Sequence, residues 1–496
     1  MSVGGSRLRW QVSACAALVV LALAGAVAPA AADDRARMAA SVKQAVADVR
    51  AQYRIPGVVV LVVRGGRVEL TEEQGLSART PIALGSTSKQ FTGLIVQQLV
   101  ATGRLSLADT VGSRLDYGAG SAFADVTVAQ LLGHRSGLPE RAGAEWDLWP
   151  AATTIQDEAR RLVGVAPATS PGTTFEYSNA NYTLLGAIVE TVTEGSYPDA
   201  LKRFVADPLG LDATTGDRQQ VPAAGSAEGH YPWLQSLVTP LPQPEWPMAV
   251  PSAFVTSTGD DLARVLLAHL GAPTRAAPAV LEAARTPLGR QDEWREYASG
   301  WERRAFWELT DGNAGWQDPA LPPLWEHNGS TLRTFSYLGF APARDLGIVI
   351  LGDTSFGIDQ TAQFFVVDRI VHAVVGTRPV PAETDPLIAA GPVIMVALPL
   401  LQAAAVVWLA VALRRGPRSR LARWFPVGLG VVATLTTAAF AFLVVPARIN
   451  WHVFTTWLLT SSPDLAVSLW LALALGAVTL GLLGVAAIRA VRRRAR

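Results

Sequence analysis

A chain of 496 residues is long enough for a large domain with its own core and a further segment besides. Its 42 basic and 41 acidic residues leave a formal net charge of +1, which excludes the broad positive field of a nucleic-acid-binding protein. The single cysteine, Cys15, excludes an intramolecular disulfide and a thiolate metal cluster.

Arg7 and Arg9 precede an apolar run from about Val12 to Val27, and Ala30-Ala31-Ala32 supplies a small-residue cleavage pattern. Residues 1–32 therefore read as a secretory signal peptide. The alternative is an uncleaved anchor, for which the run is shorter than the ~20 residues of a span. Cys15 stands at the start of the run, where a lipid-acceptor cysteine would follow it.

Residues 33–383 have the mixed composition of a globular domain punctuated by glycine and proline. Ala36 to Tyr53 is predicted as a helix, and Gly57 to Val63 with Arg67 to Leu70 as a hairpin turning at Gly65-Gly66. Thr92 to Leu99 and Leu184 to Val192 carry helical periodicity, whereas Thr334 to Phe340 and Leu346 to Leu351 read as strands. Thr361 to Val375 is the last predicted helix of the domain. Strands at both ends of the domain and helices in its middle predict an α+β fold whose termini share one antiparallel sheet.

Beyond Asp385 the composition changes. Pro386 to Leu413, Phe425 to Val445 and Leu465 to Ile488 are apolar over bilayer-spanning lengths, so residues 384–496 read as a membrane domain of three transmembrane helices. Arg414, Arg415, Arg418, Arg420 and Arg423 follow the first stretch, and Arg489, Arg492, Arg493, Arg494 and Arg496 follow the third. Both clusters belong on the cytoplasmic side, which leaves the globular domain outside the cytoplasmic membrane and the C-terminus inside. Pro392, Pro399 and Gln402 within the first stretch mark either a kink against neighbouring helices or a path through them. The lipid bilayer is thus an expected partner, nucleic acid is not, and the oligomeric state is left open.

Three motifs carry chemistry. Gly85-Ser86-Thr87-Ser88-Lys89 reads as a helix start that places Ser86 and Lys89 on one face. A lysine with a lowered pKa can take the proton of a serine hydroxyl, and helix N-terminal N–H groups favour an attacking oxyanion. The chain has only three lysines, Lys43, Lys89 and Lys202, and uses arginine almost everywhere else. Arginine does not deprotonate, so a lysine at this position points to a need for a titratable amine.

The second motif is Tyr177-Ser178-Asn179, just before an apolar helix. A phenol near an ammonium group can shift towards phenolate and move protons, and an amide can bridge lysine and a substrate carbonyl. The same residues also suit a capped helix start with a core tyrosine. The third motif is His327-Asn328-Gly329-Ser330 before a predicted strand. Gly329 would let a substrate backbone approach, the Ser330 N–H would face an oxyanion, and His327 would line the cleft; an ordinary turn with an exposed histidine is the alternative.

In this order and spacing the motifs resemble those of the β-lactamase-related serine hydrolases: class C β-lactamases, penicillin-binding DD-peptidases, D-aminopeptidases and related esterases. Leu131 to Pro139, with Gly133-His134-Arg135-Ser136-Gly137, is similar to that family's Leu-Leu-x-His-x-Ser-Gly-Leu segment, and Ser257-Thr258-Gly259-Asp260-Asp261-Leu262 to its Ser-Thr-x-x-Asp-Leu helix start. The resemblance covers about residues 36–376. It implies the β-lactamase/transpeptidase-like three-layer fold, an antiparallel sheet flanked by helices.

The resemblance also implies an acyl-enzyme made on Ser86 with help from Lys89 and Tyr177. The N–H groups of Ser86 and Ser330 would hold the oxyanion, Asn179 would orient the substrate, and His134 would be a structural buttress. Neither metal nor cofactor is implied. His327 stands where β-lactamases carry a lysine, which argues against efficient penicillin hydrolysis; Glu326 and Leu332-Arg333-Thr334 also depart from the family pattern.

Two aromatic stretches, Trp146 to Pro150 and Tyr231 to Pro247, suit an acyl or peptide subsite, loop packing or a membrane surface equally well. The expected partner is a small-molecule or peptide substrate. The expected function is hydrolysis of an ester or amide, such as a cell-wall D-amino acid peptide or a small acyl ester. The alternatives are a β-lactam hydrolase and a non-catalytic membrane sensor.

Overall fold

The computed structural model describes residues 33–143, 154–221, 225–305, 323–379, 386–415, 428, 459 and 462–494, apart from positions 228, 245, 294, 358 and 360. The predicted signal segment, the Trp146 to Pro150 stretch and all but one residue of the predicted span Phe425 to Val445 lie outside the described residues.

A helix over residues 33–53 leads into β1 (Val58–Arg64) and β2 (Arg67–Gln74). Their turn needs left-handed backbone at both central positions, which Gly65 (φ 61°) and Gly66 (φ 70°) supply without strain. Two short pairings follow: β3 (Ile82–Ala83) with β6 (Thr256–Ser257), and β4 (His230–Trp233) with β5 (Leu237–Pro240). The remaining strands are β7 (Gly289–Arg290), β8 (Glu296–Tyr297), β9 (Glu302–Ala305), β10 (Pro323–Ser330), β11 (Phe335–Ala341) and β12 (Leu346–Gly352).

The main sheet has the order β2-β1-β12-β11-β10-β9-β8-β7 with antiparallel pairs. The first and last long strands are therefore neighbours, with Val60 opposite Ile350, where the sequence predicts only that the two ends of the domain share a sheet.

β1 is apolar at six consecutive positions because both of its faces are covered. Val59, Leu61 and Val63 enter one core with the helices Ser88–Ala101, Asn179–Thr193 and Gly259–His269. Val58, Val60 and Val62 enter a second core with the helix over residues 33–53 and helix Ala362–Val375, through Val42, Val46, Val366 and Ile370. Helices thus cover both faces of the sheet. This is the α+β three-layer architecture that the sequence leads one to expect.

Two C-terminal helices, Pro386–Arg415 and Pro463–Arg494, are long and apolar enough to cross a membrane over Ile388–Arg414 and Pro463–Ala486. They run parallel: the Ser468 hydroxyl donates to the Met395 carbonyl near their starts (2.7 Å), and Arg489 donates to the Leu413 carbonyl near their ends (3.1 Å). Val393, Leu400, Val407, Leu471 and Leu480 point outwards, so apolar side chains cover the outside of the pair. The helices are compatible with membrane anchoring.

Candidate active site

Gly85 opens a 3-10 turn, Gly85–Thr87, that continues directly into helix Ser88–Ala101. Ser86 and Lys89, three residues apart, meet on one side of it, with Lys89 Nζ 3.1 Å from Ser86 Oγ. The Tyr177 hydroxyl donates to the same serine oxygen at 2.9 Å. Asn179, the first residue of the next long helix, accepts from Lys89 Nζ through Oδ1 at 2.6 Å, and the Ser252 carbonyl accepts from it at 2.8 Å. Ser252 contributes through its backbone and leaves no side-chain signature for sequence reasoning to find.

Burial decides the protonation of this cluster. Lys89 is fully enclosed, and desolvation drives its ammonium well below the usual lysine range. Desolvation also pushes the Tyr177 phenol up, although its hydrogen bond to Ser86 works the other way. Tyr177 therefore keeps its proton, the reverse of the shift towards phenolate that a neighbouring ammonium would cause. Its ring stacks on His134 with centroids 4.4 Å apart, and Lys89 Nζ lies 4.9 Å from its centroid.

β10 brings the third motif to the Ser86 turn by close backbone packing. A Cβ on Gly329 would lie 2.0 Å from the Leu84 carbonyl oxygen, and one on Gly85 would lie 2.3 Å from the Ser330 nitrogen. Both positions thus need glycine, and Gly85 also has a φ of 62°. Gln363 Nε2 donates to the Gly329 carbonyl at 2.9 Å and ties the strand to helix Ala362–Val375. Ser86, Asn179, Ser330, Trp246, Phe254 and Leu332 are among the residues lining a cavity of about 240 Å³.

His327 is placed differently from the expectation. It does not line that cavity: its ring is buried, with Nε2 2.9 Å from the Tyr297 hydroxyl and Nδ1 2.6 Å from the Asn328 carbonyl. Burial, with the Lys89 charge second, lowers its pKa to about 3, so it is neutral at any physiological pH. On β10 the histidine shares a face with Gly329, which packs on the Ser86 turn, and its ring falls against the aromatic cluster of Tyr177 and Tyr297.

His134 is buried against the second motif. Its Nδ1 accepts from the Ser178 N–H at 3.1 Å and lies 3.0 Å from Asn181 Nδ2, so it fixes the backbone between Tyr177 and Asn179. Of the aromatic Tyr231 to Pro247 stretch, Trp246 reaches the Ser86 cavity and stacks edge-on with Phe254. The same two rings also line an adjoining cavity of about 350 Å³, whose walls include Ile155, Pro198, Pro244 and Val250.

The Beta-lactamase family model matches residues 42–363. Protein flp of Staphylococcus aureus (strain MW2) is 26% identical over 431 residues, 82% of each chain. Penicillin-binding protein 4 of Amycolatopsis lactamdurans is 29% identical over 342 residues, 63% of this chain and 85% of that one. Among solved structures, a class C β-lactamase from Rhodobacter sphaeroides superposes with a TM-score of 0.56 at 23% identity, covering 68% of this chain and 98% of its own. With the fold, the order of the three motifs and a family match spanning most of the globular part in agreement, the chain belongs to the β-lactamase family of serine hydrolases.

Proposed function

We propose that this protein is a membrane-anchored serine hydrolase that cleaves an ester or amide bond through an acyl-enzyme on Ser86. The observation that carries this reading is the Ser86 oxygen placed 3.1 Å from a buried lysine amine and 2.9 Å from a phenol, at the wall of a cavity.

Once neutral, Lys89 has two N–H bonds and one lone pair. Asn179 Oδ1 and the Ser252 carbonyl can only accept, so they take the two hydrogens and turn the lone pair to Ser86. Ser86 then donates its proton to Lys89 as its oxygen attacks the carbonyl carbon, and the N–H groups of Ser86 and Ser330 stabilise the oxyanion. Tyr177, still protonated, gives its proton to the leaving group and recovers one from Lys89 by way of the vacated site. Water attacks the acyl-enzyme with the same groups acting in reverse.

Gly329 serves by allowing the close approach of Ser330, and His327 serves by supporting Tyr177 through their shared aromatic cluster. The Trp246 and Phe254 rings give room for an apolar substituent beside the scissile bond. The resemblance carried by the three motifs supports a D-amino acid peptide as one substrate, and a small acyl ester suits the same cavity.

The anchor consists of the two parallel C-terminal helices. Two parallel spans enter the bilayer from the same side, so the chain between them has to cross an odd number of times, which the apolar stretch Phe425 to Val445 would do once. With the arginine clusters inside, the catalytic domain faces outwards and residues 1–32 act as its export signal.

The test uses the full chain purified in detergent, wild type and Ser86→Ala, with a nitrophenyl ester, a D-Ala-D-Ala peptide and a chromogenic cephalosporin. The ester or the peptide should be turned over and an acyl adduct found on Ser86 by mass spectrometry, with turnover falling about 10³-fold or more in Ser86→Ala. Cephalosporin turnover alone would make the protein a β-lactamase. Absence of both Ser86-dependent turnover and adduct would make the domain a binding module.

A further inference from the structure

We propose that Asp464, in the first turn of the last candidate membrane span, is a positioning residue for the active-site cleft, acting through the β4–β5 hairpin. Its carboxylate is buried between the helix and the hairpin. Oδ1 accepts from the Tyr231 hydroxyl at 2.6 Å and from the Leu465 N–H at 2.8 Å, and Oδ2 accepts from the Leu234 N–H at 2.8 Å.

The hairpin needs this support. Leu234 (φ 50°) and Gln235 (φ 52°) form its turn in the left-handed region, where residues with a Cβ are disfavoured and Asn-Gly is the usual choice. The Asp464 oxygen engages the N–H at the first of these strained positions, so the membrane helix stabilises a turn that the hairpin's own sequence disfavours.

The other end of the hairpin is stitched to the cleft. The His230 N–H donates to the Arg333 carbonyl and the Ser355 N–H donates to the His230 carbonyl, each at 3.2 Å. A Cβ on Gly229 would lie 2.4 Å from the Arg333 Cβ, which shows how closely the two segments pack. The Arg333 guanidinium lies 5.3 Å over the Tyr231 ring, the same ring whose hydroxyl reaches Asp464. Just past β5, Gln243 Oε1 accepts from the Thr331 hydroxyl at 2.8 Å. Ser330, Thr331, Leu332 and Ser355 border the Ser86 cavity, so a continuous run of contacts joins the membrane helix to the strand end that carries the Ser330 N–H.

A purely local role for Asp464 at the start of its own helix would use only the Leu465 N–H. Tyr231→Phe removes one contact across the interface and leaves that local contact intact, which separates the two roles. The structural arm of the test does not depend on the proposed hydrolase activity; the kinetic arm does.

The experiment compares the full chain in detergent as wild type, Asp464→Ala, Asp464→Glu and Tyr231→Phe, by amide hydrogen exchange and by ester turnover. In Asp464→Ala, exchange should rise about tenfold at residues 230–235 and about threefold at 330–334, with the sheet centre unchanged. kcat should fall about tenfold with KM within about twofold, Tyr231→Phe should follow in the same direction, and Asp464→Glu should recover most of the loss. Unchanged exchange at 330–334 in both Asp464→Ala and Tyr231→Phe overturns the proposal, as does an equal rise of exchange throughout the domain. If exchange is coupled as expected but the wild type shows no Ser86-dependent turnover, the coupling stands and the hydrolase reading falls.

Discussion

Lys89 shows how one side chain can be readable in sequence while its state is not. Its spacing from Ser86 and its rarity in an arginine-rich chain single it out. Only the folded surroundings show that it is fully enclosed, with a pKa lowered by burial. The sign of the consequence follows directly: the amine loses its proton as pH rises through this lowered value, and Tyr177, pushed up by burial, keeps its own proton beyond that point. Ester kcat/KM should therefore rise with unit slope on the acid side and stay flat to about pH 10. A falling limb near neutrality in the pH profile would contradict this assignment. Lys89→Arg should lower kcat/KM about 10³-fold with no recovery at high pH, because a guanidinium does not give up its proton. His327 is the opposite case: its motif position was legible, but its burial against Tyr297 was not.

At the scale of elements, β1, β11 and β12 were legible because their apolar runs are long and their partners are close to forced by the two-sided core. The short strands β7, β8 and β9 were not, since each holds two to four residues and has too little period to read. Their pairing has a consequence: the register sets Glu302 opposite Glu326. Glu326 is itself engaged by Arg304 and by the Tyr337 hydroxyl. Burial first, and the Glu326 charge second, raise the Glu302 pKa from 4.5 to about 7. Between these two values the folded protein binds more protons than the unfolded chain, so this group's contribution to stability is full below about pH 4.5 and is lost as pH rises through about 7. Glu302→Gln should accordingly raise the melting temperature by about 2–4 °C at pH 8 and leave it unchanged at pH 4.5. Equal melting shifts at both pH values would show that the carboxylate is not the cause.

On the scale of the whole molecule, the proposed topology predicts that reporter fusions after residue 420 and at the C-terminus report a cytoplasmic location, and that one near residue 455 reports the outside. A cytoplasmic signal at the last of these would remove the crossing assigned to Phe425 to Val445. Composition alone separates the globular part from the apolar C-terminal part, because a bilayer demands long uninterrupted apolar stretches that single-chain hydropathy reveals. Local patterns likewise determined the motifs, the β1–β2 hairpin and the α+β class, since period, turn chemistry and charge placement act over a few residues. Tertiary structure alone decided that the Ser252 carbonyl completes the lysine's surroundings, that His327 is buried against Tyr297, and that Asp464 meets Tyr231 across 233 positions of sequence. Those contacts depend on which distant segments the fold sets side by side, and on how much water is excluded where they meet, neither of which a local pattern encodes.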